Sequence, residues 1–489
     1  MLDAPFAPGL RAFFTALADA DWPARVPSCV FIRDFDSLPE SAPFDIDLVC
    51  NRNDWPKLRA LVRECAGGLI VSETAAEQAL YILLIDLEGP ADTHRHAFLE
   101  VRDTLAVPSR QFAVTPAADI SLGAADIPRT GEHGLPQPPR DWHAAFTLLQ
   151  ALRKSDTAKY LSRYRAFDAA TRESAQDLLS KRMGFPAGDL ENWLAAPAPR
   201  SRSNKDAQAP APEGTREKLR RFCADRLFFL PLLKLDFFTI HGPDGAGKST
   251  TCAEIARLIE GLPFGLLQFH HSEGWKEGRR RDPRTGKVNK PQAVAPATAQ
   301  PSLLRRIARG AYRLMPEGVR EFWLWNSHFV NYNRKFTRFL LDNRNSGYIL
   351  FADRYVYDVR IKYIVETERP SWLVRGYYRL HCALVPKPRY GFVLVDDPAK
   401  IVARKDELTE EQVTRFIGWI KRILRERRMP HTIVPIDGRP PEAVAAQIAR
   451  ELIERQGEDM IRHMRTFVSE IEATEEESAR EPAPLRAAV

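Results

Sequence analysis

The ten residues from His241 to Thr250 constrain this chain more than any other stretch. They place Gly242, Gly247, Lys248 and Ser249 at the fixed positions of the spacing G-x-x-x-x-G-K-[ST]. The flanks agree. Leu235 to Ile240 reads as a buried strand entering the glycines. Thr250 to Leu262 reads as a helix leaving them, with Cys252, Ile255, Ala256 and Ile259 at helical spacing. A strand, a glycine loop and a helix start form an anion site. Unpaired amides point at one spot, and the helix dipole favours negative charge there. Glycines let the backbone approach a phosphate, Lys248 can reach β/γ-phosphates, and the Ser249 hydroxyl suits Mg²⁺. The chain is expected to bind a nucleoside triphosphate.

At 489 residues the chain should form two or three domains. Hydrophobic residues at 44% and charged residues at 28% are ordinary for a globular protein. No apolar run approaches the ~18 residues of a membrane helix, and the first residues lack the basic end and apolar run of a signal peptide. Six scattered cysteines without a C-x-x-C pair suggest reduced thiols in a cytoplasmic protein. The net charge of +7 suits phosphate-rich ligands and gives no firm sign of nucleic acid.

The clearest boundary is residues 195–214, rich in Ala, Pro and Ser and without apolar periodicity, which reads as a linker. Before it, residues 1–135 read as a smaller α+β domain. Its strand candidates are Val26 to Ile32, Phe44 to Cys50, Ala79 to Leu87 and Ala97 to Val101, and its helices Leu10 to Ala20 and Trp55 to Glu64. Residues 136–194 read as helical. After the linker, residues 215–460 alternate strands and helices. Strands at Leu235 to Ile240, Leu266 to His270, Tyr348 to Phe351, Gly391 to Val395 and His431 to Ile436 imply α/β architecture with a doubly wound, five-stranded parallel sheet. Residues 461–489 read as a charged, partly disordered tail.

Two landmarks accompany the glycine loop. Asp353 and Arg354 end a predicted strand, at the sheet edge where ligands sit in open α/β folds. Asp353 can hold Mg²⁺ or organise the acceptor, and Arg354 can neutralise its phosphate. Asp396 and Asp397 end another strand, and Arg404 and Lys405 follow on a helix, placed to close over a triphosphate. Phosphoryl transfer is mostly positioning and charge neutralisation, so mobile cations are what it needs. Asp437 lies in the turn after the last predicted strand.

These residues resemble the thymidylate kinase family of P-loop nucleoside monophosphate kinases over about residues 235–455. The resemblance rests on the glycine loop, on Asp353-Arg354-Tyr355, and on the segment from Val395 to Lys405. It implies that Asp244 contacts the acceptor's sugar and that Arg404 serves as a lid arginine, because Gly245 and Ala246 leave the loop without one. It also implies ATP and Mg²⁺, with Gly242, Asp244, Gly245, Gly247, Lys248, Ser249, Thr250 and Asp437 around the nucleotide. The family's Arg-x-Pro step after the second strand is missing. Gln268 to Trp275 stands there, followed by seven Lys/Arg between Lys276 and Lys290 and a basic helix candidate from Leu303 to Met315. The pattern from Asp353 to Asp358, with Pro370 to Leu373 and Pro386 to Pro388, is similar to thymidylate-kinase-like proteins of bacterial surface-polysaccharide gene sets.

In the N-terminal part, Asp45 and Asp47 lie two apart on a predicted strand and share a face. Paired carboxylates suit divalent metal and two-metal phosphoryl chemistry. Residues 24–105 resemble the nucleotidyltransferase fold, with Glu100 as third carboxylate and without the family's Gly-Ser step. Catalysis, metal binding without catalysis, and a plain surface pair all remain open there. Asp34 and Asp36 copy the spacing where the chain leaves its strand.

The leading expectation is an ATP- and Mg²⁺-dependent kinase in which Lys248, Asp353, Arg354 and Arg404 carry transfer to a small-molecule acceptor. A nucleotide-binding regulatory or scaffold protein, and a bifunctional kinase and nucleotidyltransferase, are the alternatives. A homodimer is compatible with either.

Overall fold

The computed structural model describes residues 5–33, 38–40, 45–76, 79–90, 92–107, 120–129, 134–153, 157–185, 237–260, 262, 264–270, 274–277, 317–343, 348–366, 372–405 and 407–478. It forms two units. One comprises the described parts of Met1–Ala209 and Leu452–Val489, the other those of Pro210–Arg280 and Val288–Glu451. Among the described residues no helix is long and apolar enough to cross a membrane. The expected linker 195–214, Asp34, Asp36, the basic stretch beyond Glu277 and the helix candidate Leu303 to Met315 lie outside the described residues.

The first unit begins with α1 (Pro8–Ala18) and the short α2 (Trp22–Arg25). Its sheet holds β1 (Val30–Arg33), β2 (Asp45–Val49), β3 (Ile70–Ala75), β4 (Ala79–Ile85) and β5 (His96–Arg102), in the order β1-β2-β5-β4-β3. Only β2 and β5 run parallel; the other neighbours are antiparallel. Between β2 and β3 lies α3 (Trp55–Cys65). β4 is apolar at every position and buried throughout, which requires cover on both faces. On one face Leu80, Ile82 and Leu84 join Leu10, Phe14 and Leu58 in a single core.

β6 (Thr104–Val107) and β7 (Ile120–Gly123) pair as a separate ribbon. Three helices follow: α4 (Arg140–Arg153), α5 (Thr157–Arg165) and α6 (Ala169–Met183). Asp168 caps α6 by accepting from the Thr171 amide, and Gly184 ends it in the left-handed conformation. Phe146, Leu149, Tyr164 and Leu179 from these helices pack with Val30, Ile32 and Val49.

The second unit carries β8 (Phe238–His241), α7 (Lys248–Ile259), β9 (Leu266–His270), β10 (Gly274–Glu277) and α8 (Glu317–Asn343). It continues through β11 (Ile349–Asp353), α9 (Val356–Glu366), α10 (Trp372–Leu384), β12 (Tyr390–Val395), α11 (Pro398–Arg404), α12 (Glu410–Glu426) and β13 (His431–Pro435). The sheet order is β10-β9-β11-β8-β12-β13. The five strands expected from apolar runs are parallel. β10 is a sixth, antiparallel to β9. Because β11 and β12 flank β8 while the chain leaves it for β9, the carboxyl end of β8 is a switch point, where α/β sheets open a crevice for ligands.

The last helix is α13 (Pro441–Ser478). The tail expected from 461 to 489 to be charged and partly disordered is helical as far as Ser478, and Ile461 and Met464 are buried. Within the first unit, a Cβ at Gly457 would come 2.5 Å from the Ser72 hydroxyl, so glycine permits the close approach of α13 to β3. Arg465 stacks over Tyr81 at 4.4 Å.

Candidate functional site

The crevice at the carboxyl end of β8 is built by one glycine loop and three neighbouring segments. Gly242, Gly245 and Gly247 adopt φ values of 155°, 90° and 75°. A side chain would be strained at any of them. At Gly245 a Cβ would also stand 2.8 Å from the Ile401 carbonyl, so α11 packs directly on the loop. Gly247 precedes the first residue of α7, so the helix opens on backbone amides rather than on a side-chain cap.

Lys248 is 5% exposed and folds back over the loop. Its Nζ donates to the carbonyls of Gly242 at 2.7 Å and Pro243 at 2.8 Å, and lies 3.5 Å from Asp244. Burial lowers its pKa, and Arg354 adds to that effect, while Asp244, Asp358 and Asp353 oppose it. Ser249 donates to Asp353 Oδ2 at 3.0 Å. A hydroxyl and a wholly buried carboxylate, the two groups expected from the sequence to hold a metal, thus meet at the helix start. Hard oxygen donors that leave room for waters and phosphates are the set Mg²⁺ prefers. Thr250 occupies the exposed side of the same first turn.

Arg354 follows β11 at φ 75°, one of three non-glycine residues in the left-handed region among those described. Such strain persists where surroundings over-determine it. The Tyr332 hydroxyl donates to the Arg354 carbonyl at 2.9 Å. Phe237, Phe336 and Tyr355 form an aromatic cluster beside it, with ring centroids 5.0–5.5 Å apart. The turn therefore aims the guanidinium at Asp244, with Nη2 at 2.6 Å from Oδ1. Lys362, on α9, approaches the same carboxylate at 3.3 Å. Burial acts to raise Asp244, but Lys248, Arg354 and Lys362 outweigh it and hold the carboxyl well below the usual range.

The expected lid is placed differently. Asp397 caps α11 by accepting from the Ala399 amide, with Pro398 at its first position. The following α12 starts from a capping box between Thr409 and Gln412. Arg404 ends α11 but donates to Asp396 Oδ2 at 2.6 Å instead of reaching the loop. Lys405 pairs with Glu407 at 2.9 Å. Asp437 is exposed in a left-handed turn with Gly438.

Sequence reasoning missed a buried polar chain beneath the loop. The Thr239 hydroxyl and the His241 Nε2 lie 2.8 Å apart, and His241 Nδ1 meets Asp358 Oδ2 at 2.8 Å. The Tyr355 amide donates to the same Asp358 oxygen at 2.9 Å. Burial alone would raise the Asp358 carboxyl, yet His241, the Tyr355 amide and Lys248 keep it below its ordinary value. This chain ties the strand that enters the glycine loop to the helix that carries Lys362. No local pattern declares it, since His241 and Asp358 lie far apart in sequence.

In the first unit, Asp47 and Glu100 are register partners across β2 and β5, and Asp45 is paired with Phe98. Arg102 meets Glu100 at 2.5 Å. Burial works against its charge, but Glu100 and Asp47 keep its pKa raised. A guanidinium thus occupies the carboxylate expected to complete a metal set. Among the described residues no group of three His, Cys, Asp or Glu side chains is arranged to hold a metal ion; the Asp45 side chain lies outside them.

Among solved structures, the chain is similar to a thymidylate kinase from Ehrlichia chaffeensis, at 13% identity and a TM-score of 0.26, over 44% of this chain and 98% of that one. No family model matches the chain. No curated protein matches it. So slight a likeness carries no functional argument, and the reading below stands on the site itself.

Proposed function

We propose that the second unit is an ATP- and Mg²⁺-dependent phosphotransferase of the thymidylate-kinase-like type, acting on a nucleoside monophosphate or another small phosphate- or hydroxyl-bearing acceptor. The observation that carries this reading is the convergence, at one helix start, of Lys248 over the glycine loop and of Ser249 on buried Asp353. Mg·ATP would supply the activated phosphoryl group. Lys248 would exchange its loop carbonyls for phosphate oxygens, which costs little rearrangement because its donors already point along the loop. Ser249 and Asp353 would hold the metal. Arg354 would neutralise charge on the acceptor side, and Arg404 would do so from α11 after leaving Asp396. Catalysis of this kind rests on positioned charge rather than on covalent steps.

One observation favours a second reading, a nucleotide-binding regulatory or scaffold protein without efficient transfer: Arg404 and Lys405 are both engaged with acids. ATP consumption across a panel of acceptors, run beside an acceptor-free blank, separates the two. Acceptor-dependent consumption supports the transferase; tight Mg·ATP binding with blank-level consumption supports the scaffold.

dTMP is expected to be a poor acceptor, because Gln268 to Trp275 lacks the Arg-x-Pro step whose arginine could grip its phosphate with a bidentate, charge-assisted contact. A kcat/KM for dTMP within the usual enzyme range of about 10⁴–10⁸ M⁻¹s⁻¹ would contradict this.

A further inference from the structure

The buried chain beneath the glycine loop meets at one atom. Asp358 Oδ2 accepts from His241 Nδ1 at 2.8 Å and from the Tyr355 amide at 2.9 Å. An ionised carboxylate only accepts, so Nδ1 carries the hydrogen of that contact. The His241 Nε2 faces the Thr239 hydroxyl, and Tyr357 stacks on the ring with centroids 6.1 Å apart. The imidazole is therefore held on three sides, and His241 is wholly buried.

The two donors bracket the candidate site. His241 immediately precedes Gly242, whose carbonyl holds Lys248. Tyr355 immediately follows Arg354, which sits in the left-handed region. Helix capping accounts for half of this arrangement. Asp358 is the third residue of α9, and an acid there can reach back to the amide that precedes the helix. Capping does not call for a histidine from β8, nor for both donors on one oxygen. The other oxygen, Oδ1, is buried and has no hydrogen-bond partner among the described residues. Buried polar atoms are seldom left so, and here the unpartnered oxygen is the cost of bringing two segments to one point.

We infer that Asp358 is a positioning residue, whose single oxygen Oδ2 fixes the start of the glycine loop and the Arg354 turn relative to each other. The inference deepens the phosphotransferase reading above and rests on it. Through His241 the oxygen sets the Gly242 carbonyl on which Lys248 rests. Through the Tyr355 amide it sets the backbone from which Arg354 extends. Lys248 and Arg354 belong to segments that only the β8–β11 adjacency brings together, and one shared acceptor keeps them in register.

The test uses the full chain and four variants: Asp358→Ala, Asp358→Asn, His241→Ala and the double alanine variant. Asp358→Asn keeps an oxygen where the donors converge and removes the charge. His241→Ala leaves the cap on Tyr355 intact. ATP consumption is measured with the panel acceptor that the parent uses fastest, per folded molecule as judged by circular dichroism. Mg·AMP-PNP binding is measured by calorimetry. Small misplacement of reacting groups costs up to about 100-fold in rate, so Asp358→Ala is expected to lower kcat about 10–100-fold and His241→Ala to lower it in the same direction. Affinity for Mg·AMP-PNP should stay within about threefold of the parent's, because Lys248, Ser249 and Asp353 remain. Asp358→Asn should recover most of kcat. The double variant should lose no more than the worse single variant, since both residues act through one bond. A kcat within about twofold of the parent's in Asp358→Ala or His241→Ala overturns the inference. So does an Asp358→Asn variant as slow as Asp358→Ala, or a double variant whose loss is the product of the single losses. A parent that consumes ATP with no acceptor above the blank, or that does not bind Mg·AMP-PNP, overturns instead the reading on which it rests.

Discussion

The two units each set carboxylates beside cations at the end or middle of a strand, yet they use them in opposite ways. In the second unit, Asp353 meets a serine hydroxyl at a helix start, and Lys248 rests on backbone carbonyls that a phosphate can replace. On the reading proposed above, those charges would serve a ligand. In the first unit, Glu100 is met by Arg102 on its own strand, and Asp47 feels the same guanidinium. That charge is balanced internally. The same residue types therefore rest on backbone carbonyls and a hydroxyl in one place and on each other in the other. What separates them is whether the cation is bound to something a ligand can displace without leaving a buried charge alone.

The largest effect expected from this contrast is at Lys248. Lys248→Ala removes the one cation fixed in the glycine loop, and loss of a preorganised charge contact typically costs about 10²–10³-fold in rate. Steady-state ATP consumption at saturating acceptor checks it; turnover equal to the parent's would erase the distinction between the units.

A smaller effect is expected at Asp358. Asp358→Ala leaves His241 and the Tyr355 amide without their shared acceptor, at a cost of about 1–3 kcal/mol. The sign of the pH dependence follows from the depressed carboxyl. Its stabilisation is complete above the unfolded aspartate value of about 3.9 and is lost as pH falls through the lower folded value. Urea unfolding should show the full gap between parent and variant at pH 7, narrowing only below about pH 4. A gap that already closes between pH 7 and 5 would mean that the carboxylate is not what supports the chain.

The smallest effect is expected from Asp45→Ala combined with Asp47→Ala. The roles proposed for the second unit use no residue of the first, so turnover should stay within about tenfold of the parent. Since a few kcal/mol can unfold a marginal domain, the comparison is made at matched folded fraction by circular dichroism. A greater loss in folded protein would favour the bifunctional reading.

Much of this arrangement was readable from residues alone. β9, β12 and β13 stand within one residue of their apolar runs; for β12, buried almost throughout, cover on both faces leaves little choice of register or composition. β3 went unread because Ser72, Glu73 and Thr74 interrupt its apolar pattern. β10 escaped for the same reason, being only Gly-Trp-Lys-Glu. In the site, fixed spacing made the glycine loop legible, whereas Lys362 was hidden. Its partner Asp244 is distant in sequence, and no local pattern declares a contact that only the β8–β11 adjacency creates. Arg404 was visible as a cation on the right helix, but its engagement with Asp396 is a matter of rotamer and distance.

Transfer of label from γ-labelled ATP decides whether the second unit moves the γ-phosphate onto an acceptor. The parent chain, Lys248→Ala, and Asp45→Ala with Asp47→Ala are each incubated with γ-labelled ATP, Mg²⁺ and the acceptor panel, and the label is followed. The expected result is label on an acceptor for the parent and for the double aspartate variant, and none above background for Lys248→Ala. Label released only as inorganic phosphate, or transfer that survives Lys248→Ala and vanishes with Asp45 and Asp47, would contradict it.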